Sequence, residues 1–306
     1  MKRILVTGAN GFIGQSALPI LAAQHDFEIH AVTSRSPVCP REICCWHITD
    51  LLNAGQVHEL FHAVRPTHLL HLAWYTAHGD YWNSPQNSRW VQASQELLRQ
   101  FHLHGSQRAV VAGTCAEYDW RTGFLSETTT PLCPRSTYGA CKKELFCWLD
   151  EFSRHTGLST AWARIFFLYG PHEPPQRLVP SVVAALLRHE PARCTSGTQT
   201  RDFLYVEDVA NALTCLLANG VSGPVNIGSG KPVAIRDVVY AIADKFHRRD
   251  LVLLGALPEK VDDPPVLAAD VNRLTHECGW SPKFDLESGL EKTIDWWTSQ
   301  HRTTQK

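Results

Sequence analysis

The chain has 306 residues, 44% of them hydrophobic, enough for two lobes or one large α/β domain around a full core. Its formal net charge of −1 shows no basic excess, which argues against a nucleic-acid or anionic-membrane surface. No stretch reaches the roughly 20 apolar residues of a bilayer span. Lys2 and Arg3 lead straight into an apolar run, so no signal peptide is expected. Ten cysteines are scattered without paired Cys-x-x-Cys spacing, and sixteen histidines form no metal-ligand motif. The expectation is reduced, mostly buried thiols, a cytoplasmic protein and no bound metal.

Ile4 to Val6 suits a buried parallel strand. It runs into Gly8-Ala-Asn-Gly-Phe-Ile-Gly14, a tight turn that opens a helix. Backbone N–H groups and the helix dipole can hold a pyrophosphate there, although such turns also occur without a ligand. The cofactor contacts expected here are Gly8, Asn10, Gly11, Phe12, Ile13 and Gly14. The helix should run to about residue 24 on Ile13, Leu18, Ile20 and Leu21, with Pro19 as a weak point.

A second strand, Glu28 to Thr33, ends in Thr33-Ser34-Arg35. NAD sites usually carry an acidic residue there for the adenosine ribose. None is present, so Ser34 and Arg35 can receive a 2′-phosphate, which favours NADP(H) and leaves NAD(H) open; the alternative is that Arg35 simply faces solvent. A third strand around Trp46 to Leu51 ends at Asp50, beside Leu51, to meet an adenine amine or to cap the next helix. A fourth strand, Thr67 to Ala73, ends at Leu72, Ala73 and Trp74, where ligands gather in parallel sheets. Trp74, Tyr75, Tyr81, Trp82 and Trp90 then wall a ligand pocket or pack a loop. A helix over about 88–104 leads to the strand Arg108 to Thr114. Strands and helices alternate throughout, as in a doubly wound parallel sheet.

Thr114 ends that strand, and Ser136-Thr-Tyr138-Gly-Ala-Cys-Lys142 opens a helix. Tyr138 and Lys142 stand four apart, on one helix face. A nearby ammonium lowers a phenol's pKa from about 10, which suits proton exchange with a substrate oxygen near neutral pH. A threonine hydroxyl beside it can hold the same oxygen. The Tyr-x-x-x-Lys spacing is common by itself; its place in this chain gives it weight.

The chain resembles the extended short-chain dehydrogenase/reductase family, the nucleotide-sugar epimerases, dehydratases and ketoreductases. The matching residues are the Gly8–Gly14 turn, His71-Leu-Ala73, Thr114, Tyr138 with Lys142, Arg164 to Pro171, Arg201-Asp-Phe-Leu-Tyr-Val206 with Asp208, and Asn226 to Gly230. The resemblance implies a Rossmann sheet with a smaller C-terminal substrate-binding lobe. It implies a bound nicotinamide dinucleotide, with Tyr138 as acid/base, Lys142 on the cofactor ribose and Thr114 on the sugar oxygen. A nucleotide-diphosphate sugar would lie between the lobes, near Trp74, Arg177 and Arg201. The dinucleotide-binding domain is expected over 1–170 with a return of the chain near 203–230, and the substrate lobe over 171–306. A homodimer is also implied.

Departures from the family narrow the reaction. Dehydratases carry Asp-Glu after the catalytic Thr; here stand Cys115 and Ala116. The 3,5-epimerase/reductases place a Cys where this chain has Ala116. Glu117 touches substrate or is structural. Phe167 stands where many relatives have a substrate-contacting Asn, and Lys260-Val-Asp-Asp-Pro264 replaces a turn that usually begins with Arg. The leading expectation is an NADPH-dependent reductase of a nucleotide-linked 4-keto-6-deoxy sugar. The alternatives are an NAD-dependent nucleotide-sugar 4-epimerase and, in another class, a non-catalytic dinucleotide-sensing protein. The intact Thr114, Tyr138 and Lys142 set argues against the last.

In the C-terminal part, a helix is expected from Leu178 to Arg188, with Arg177 in the loop before it either meeting a substrate phosphate or simply solvated. Asp208 begins a helix to about residue 218 as its cap, Pro224 to Gly228 forms a strand, and the final helix runs from Leu286 to Trp297 before a frayed tail.

Overall fold

A computed structural model describes residues 2–24, 26–38, 43–259 and 261–304. In chain order it contains β1 (Lys2–Thr7), α1 (Phe12–Ala22), β2 (Phe27–Thr33), β3 (Cys45–Ile48), α2 (Ala54–Val64), β4 (His68–His71), α3 (Gln86–Leu103) and β5 (Arg108–Thr114). There follow β6 (Phe124–Leu125), α4 (Thr137–Thr156), β7 (Ser159–Ile165), β8 (Phe167–Tyr169), α5 (Leu178–Leu187), β9 (Ala192–Arg193), β10 (Thr200–Arg201) and β11 (Phe203–Tyr205). The chain ends with α6 (Val206–Ala218), β12 (Gly223–Ile227), β13 (Val233–Ala234), α7 (Ile235–Lys245), β14 (Val252–Leu253), β15 (Val266–Ala269) and α8 (Leu286–Thr304).

Seven strands form one parallel sheet in the order β12-β7-β5-β4-β1-β2-β3. The chain builds outward from β1 through β2 to β3, then returns to place β4 on the other side of β1. That reversal opens a crevice beyond the C-terminal ends of β1 and β4, the usual ligand site of a doubly wound sheet. Alternation along each strand divides the core. Ile4 and Val6 face one side, with Leu18 and Leu21 of α1 and Val209 and Leu213 of α6. Leu5 faces the other, with Phe61 of α2, Leu97 and Phe101 of α3 and Leu145 of α4. A separate core joins α5, α7 and α8, and the glycine turn reaches it through Phe12 and Ile13. A smaller, four-stranded sheet has the order β13-β10-β15-β6.

Several local expectations change. Pro19 lies inside α1 without ending it. Asp50 is not the cap of α2: the Asn53 side chain accepts from Gly55 and Gln56 N–H at 3.0 and 3.2 Å. Asp208 is not a cap either, because α6 begins at Val206 and the Asp208 carboxylate accepts from Lys283 and Phe284 N–H at 2.9 and 3.0 Å. The final helix continues past Trp297 to Thr304, with Trp297 packed against the α5–α7–α8 core and Trp296 4.6 Å from the His172 ring. Cys45, Cys133 and Cys147 are exposed, so the thiols are less buried than composition suggested. Lys260 and residues 305–306 lie outside the described residues. No described helix is long and apolar enough to cross a membrane.

Candidate active site

The crevice begins at the glycine turn. Gly8 has φ +68°, and a Cβ there would sit 2.8 Å from Ala73 N. A Cβ on Gly14 would sit 2.3 Å from Gly8 O. The turn is therefore closed to any side chain at both places. Gly11 precedes α1 with no side-chain cap, so the first-turn N–H groups are left for another acceptor. An uncapped helix start beneath a side-chain-free turn fits a dinucleotide pyrophosphate. The other expected contacts divide. Asn10 uses its side chain internally, donating to Thr33 Oγ1 at 2.8 Å and Ser36 O at 2.9 Å and accepting from Val38 N. Phe12 and Ile13 pack into the C-terminal core. Ser34 and Arg35 are exposed beyond β2. Asp50 is exposed, accepting from Leu52 N at 2.9 Å, while Leu51 is buried. Leu72 and Ala73 N–H both reach Thr7 Oγ1, at 3.2 and 3.3 Å.

Thr7 is fixed in turn by His71. The imidazole contacts Thr7 Oγ1 at 2.7 Å and Ser94 Oγ at 2.9 Å. Burial, helped by the Lys142 charge, pulls its pKa down to about 3, so the ring is neutral.

Thr114 and Tyr138 meet at the C-terminal edge of β5. Ser136 caps α4 by accepting from Gly139 N at 3.1 Å. Tyr138 N donates to Trp82 O at 2.9 Å, and the rings of Tyr81 and Trp82 stand edge-on to Tyr138 at 5.0 and 5.8 Å. The Thr114 side chain lies beside the Tyr138 phenol and favours its ionised form. Burial and the Tyr81 phenol push its pKa up, against the pull of Thr114. This corrects the expected lowering by Lys142. That ammonium turns instead to Ala112 O at 2.7 Å and lies 3.8 Å from the Trp74 ring centre. Burial pulls Lys142 down to about 7, with Glu117 opposing. Trp74 therefore faces Lys142, whereas the sequence offered it to the sugar.

The residues after Thr114 have separate fates. Burial pushes the Cys115 thiol up to about 12, so it keeps its proton. Glu117 is fully buried and structural. It accepts from Thr114 N at 2.8 Å, Trp162 Nε1 at 2.9 Å and Arg164 Nε at 2.8 Å.

The two arginines expected on substrate also differ. Arg177 faces the Tyr81 phenol, and its Nε finds no partner among the described residues. Arg201 is buried and already engaged: Nη2 pairs with Asp263 at 2.7 Å, and Nη1 donates to Thr200 O and Pro264 O at 2.9 and 2.8 Å. Its fork is turned to the 263–264 turn, so the expected free phosphate fork is not what the structure holds. Neighbouring Asp202 ties the two C-terminal motif stretches together, accepting from Ser229 N, Gly230 N and Ala269 N at 2.6, 3.0 and 3.0 Å.

Sequence reasoning missed two residues. Asn87 is fully buried and links Trp74 to the Tyr81 backbone. Glu173 is 4% exposed, and its Oε2 has no partner among the described residues. Neither lies in a motif, and a polar residue in a loop or an early helical turn carries no signal of burial. Burial pushes the Glu173 carboxyl up to about 8, with Arg177 opposing. A carboxyl raised on folding takes its proton more tightly in the native state, so stability falls as pH rises from about 4 to about 8. Glu173→Gln is expected to remove roughly 2–4 kcal/mol of that decline between pH 5 and pH 8. Urea unfolding at the two pH values measures it; an unchanged slope would exclude the assignment.

The chain is 26% identical to a dTDP-glucose 4,6-dehydratase of Shigella flexneri, over 96% of this chain and 92% of that protein. The fold matches a UDP-N-acetylglucosamine 4-epimerase from Methanobrevibacter ruminantium M1 with TM-score 0.88, 23% identity and coverage of 98% of this chain and 99% of that one. A UDP-glucose 4-epimerase of Thermus thermophilus, solved with NAD, matches with TM-score 0.86 and 25% identity, over 96% and 98% of the two chains. The glycine turn, the Tyr138–Lys142 helix and all of the parallel sheet but Lys2 and Arg3 lie within residues 4–228, which match the NAD dependent epimerase/dehydratase family, and the chain belongs to that family.

Proposed function

We propose that this protein is an oxidoreductase that moves hydride between a nicotinamide dinucleotide and a ring carbon of a nucleotide-diphosphate sugar, in the direction of reduction. The observation that carries the reading is the buried Tyr138 phenol, which stands beside Thr114 and holds its proton through burial. A protonated phenol is the form that gives a proton to a keto oxygen. A bound dinucleotide supplies the hydride. Gly8, Gly11 and Gly14 would hold its pyrophosphate end, Leu72 and Ala73 would border it, and Lys142 would hold its ribose. Thr114 orients the sugar oxygen against Tyr138. The N-terminal 1–170, with β12 added to its sheet, serves as the dinucleotide domain, and 171–306 supplies mainly sugar contacts.

Thr33-Ser34-Arg35 leaves this strand end without a carboxylate and with an exposed guanidinium, which supports NADPH. The preferred substrate is a nucleotide-linked 4-keto-6-deoxy sugar, an assignment that rests on family analogy. Elimination of water is not proposed, although the Shigella relative is a dehydratase, because Cys115 keeps its proton and Ala116 has none to exchange. A second reading, a 4-epimerase with NAD, is favoured by the NAD in the Thermus epimerase.

The two are separated by mixing the protein with NADPH or NADH and dTDP-, UDP-, GDP- or CDP-linked 4-keto-6-deoxy sugars. One NADPH consumed per sugar reduced is expected. Tightly bound NAD that interconverts 4-hydroxy epimers without net oxidation would replace the first reading by the second. Arg35→Ala should weaken NADPH relative to NADH by roughly 10- to 100-fold, the loss of a charged hydrogen bond; an unchanged ratio would sink the coenzyme argument.

A further inference from the structure

We propose that one buried amide, Asn87, positions both members of the Tyr138/Lys142 pair, acting on Lys142 through the Trp74 indole and on Tyr138 through Tyr81. The inference rests on the functional reading above only for the meaning of the pair. Asn87 accepts from Trp74 Nε1 through Oδ1 at 2.8 Å. Its Nδ2 donates to Tyr81 O at 2.7 Å and Ser84 O at 3.0 Å. Every polar atom of the side chain is used, and none is exposed.

The two arms of this amide end on the two reactive side chains. On one arm, the Trp74 face lies 3.8 Å from the Lys142 ammonium. On the other, Tyr81 stands edge-on to Tyr138 at 5.0 Å. Lys142 is 3% exposed, and among the described residues the one hydrogen bond of its ammonium runs to Ala112 O at 2.7 Å. A buried ammonium with one acceptor is poorly compensated. The negative face of an indole supplies attraction without a second titrating group. The titratable groups that act on Lys142 are Glu117, which favours its charge, and the neutral His71, pinned between Thr7 and Ser94. Neither reaches it as an ion pair among the described residues. Beyond the Ala112 carbonyl, the Trp74 ring is therefore the feature within reach that can hold the charge in place.

The consequence is a shift in the lysine's titration. Lys142 carries its charge below its pKa and loses it as pH rises through that value. Removing the indole face lowers the pKa, so the charged form fails at lower pH. NMR of the lysine side chains in the ligand-free protein reads this directly. Wild-type Lys142 should titrate near 7, well below the exposed lysines. Trp74→Leu should lower that midpoint by about one unit, Trp74→Phe by less, and Asn87→Leu should follow Trp74→Leu. Where the leucine variants fail to fold, Trp74→Phe still decides the matter.

The same variants are then assayed for reduction of the 4-keto sugars. The alkaline limb of kcat/KM should move to lower pH by the same interval. A Lys142 midpoint unmoved in both Trp74 variants, or a wild-type Lys142 that titrates with the exposed lysines, would overturn the inference. A wild type that reduces no nucleotide sugar would sink the functional reading, while the NMR titration would still decide the role of Trp74.

Discussion

Tyr138→Phe is expected to lower turnover by roughly 10²- to 10⁴-fold while leaving cofactor and sugar binding within about twofold, the loss of a positioned acid. The phenol stands beside Thr114, and the change removes only the oxygen that carries the proton. Phenylalanine keeps the ring that stands against Tyr81 and Trp82, so the packing should survive. Steady-state rates with NADPH and a 4-keto sugar, beside a binding titration, check both halves. Full turnover in the variant would remove Tyr138 as the proton donor. Equal loss of turnover and binding would mean that the phenol holds the substrate and does no more.

The second large effect concerns stability. Glu117→Ala should cost about 3–5 kcal/mol, because it leaves the Arg164 guanidinium buried without its anion. Arg164 is 1% exposed and makes its ion pair with Glu117 at 2.8 Å. Trp162 Nε1 and Thr114 N lose their acceptor in the same change. Urea unfolding measures the cost. The double variant Glu117→Leu/Arg164→Met should recover a large part of it, since it removes both charges from the core. A single-variant cost below about 1 kcal/mol would show that the pair contributes little. Thr114 adds a functional arm, because the Glu117 carboxylate accepts from its backbone N–H. Activity should therefore fall in Glu117→Ala even where the variant remains folded.

These two residues show how unevenly the site was legible. Tyr138 was read from a four-residue spacing, which any helix places on one face. Glu117 stood three residues past Thr114 with substrate contact and a structural role both open. Its partners at 162 and 164 lie on β7, the strand paired beside β5. Only that pairing brings them together.

What the sequence determined by itself is local. Apolar runs separated by helical segments specified a parallel α/β sheet, because each buried strand needs a crossover. The β1 turn required glycine because a side chain there would strike its own turn or the end of β4. Ser136 marked the start of α4 through a cap three residues long. What only the tertiary structure decided depends on distant backbone. Arg201 looked free to meet phosphate, yet Asp263 reaches it from 62 residues away in the chain. Asp208 looked like a cap, yet it bonds residues 283 and 284. Trp74 looked like a sugar wall, and Asn87 turns it onto Lys142. A side chain's spacing fixes which face it shares, whereas its burial and its partners follow from the path of chain that has not yet been written at that position.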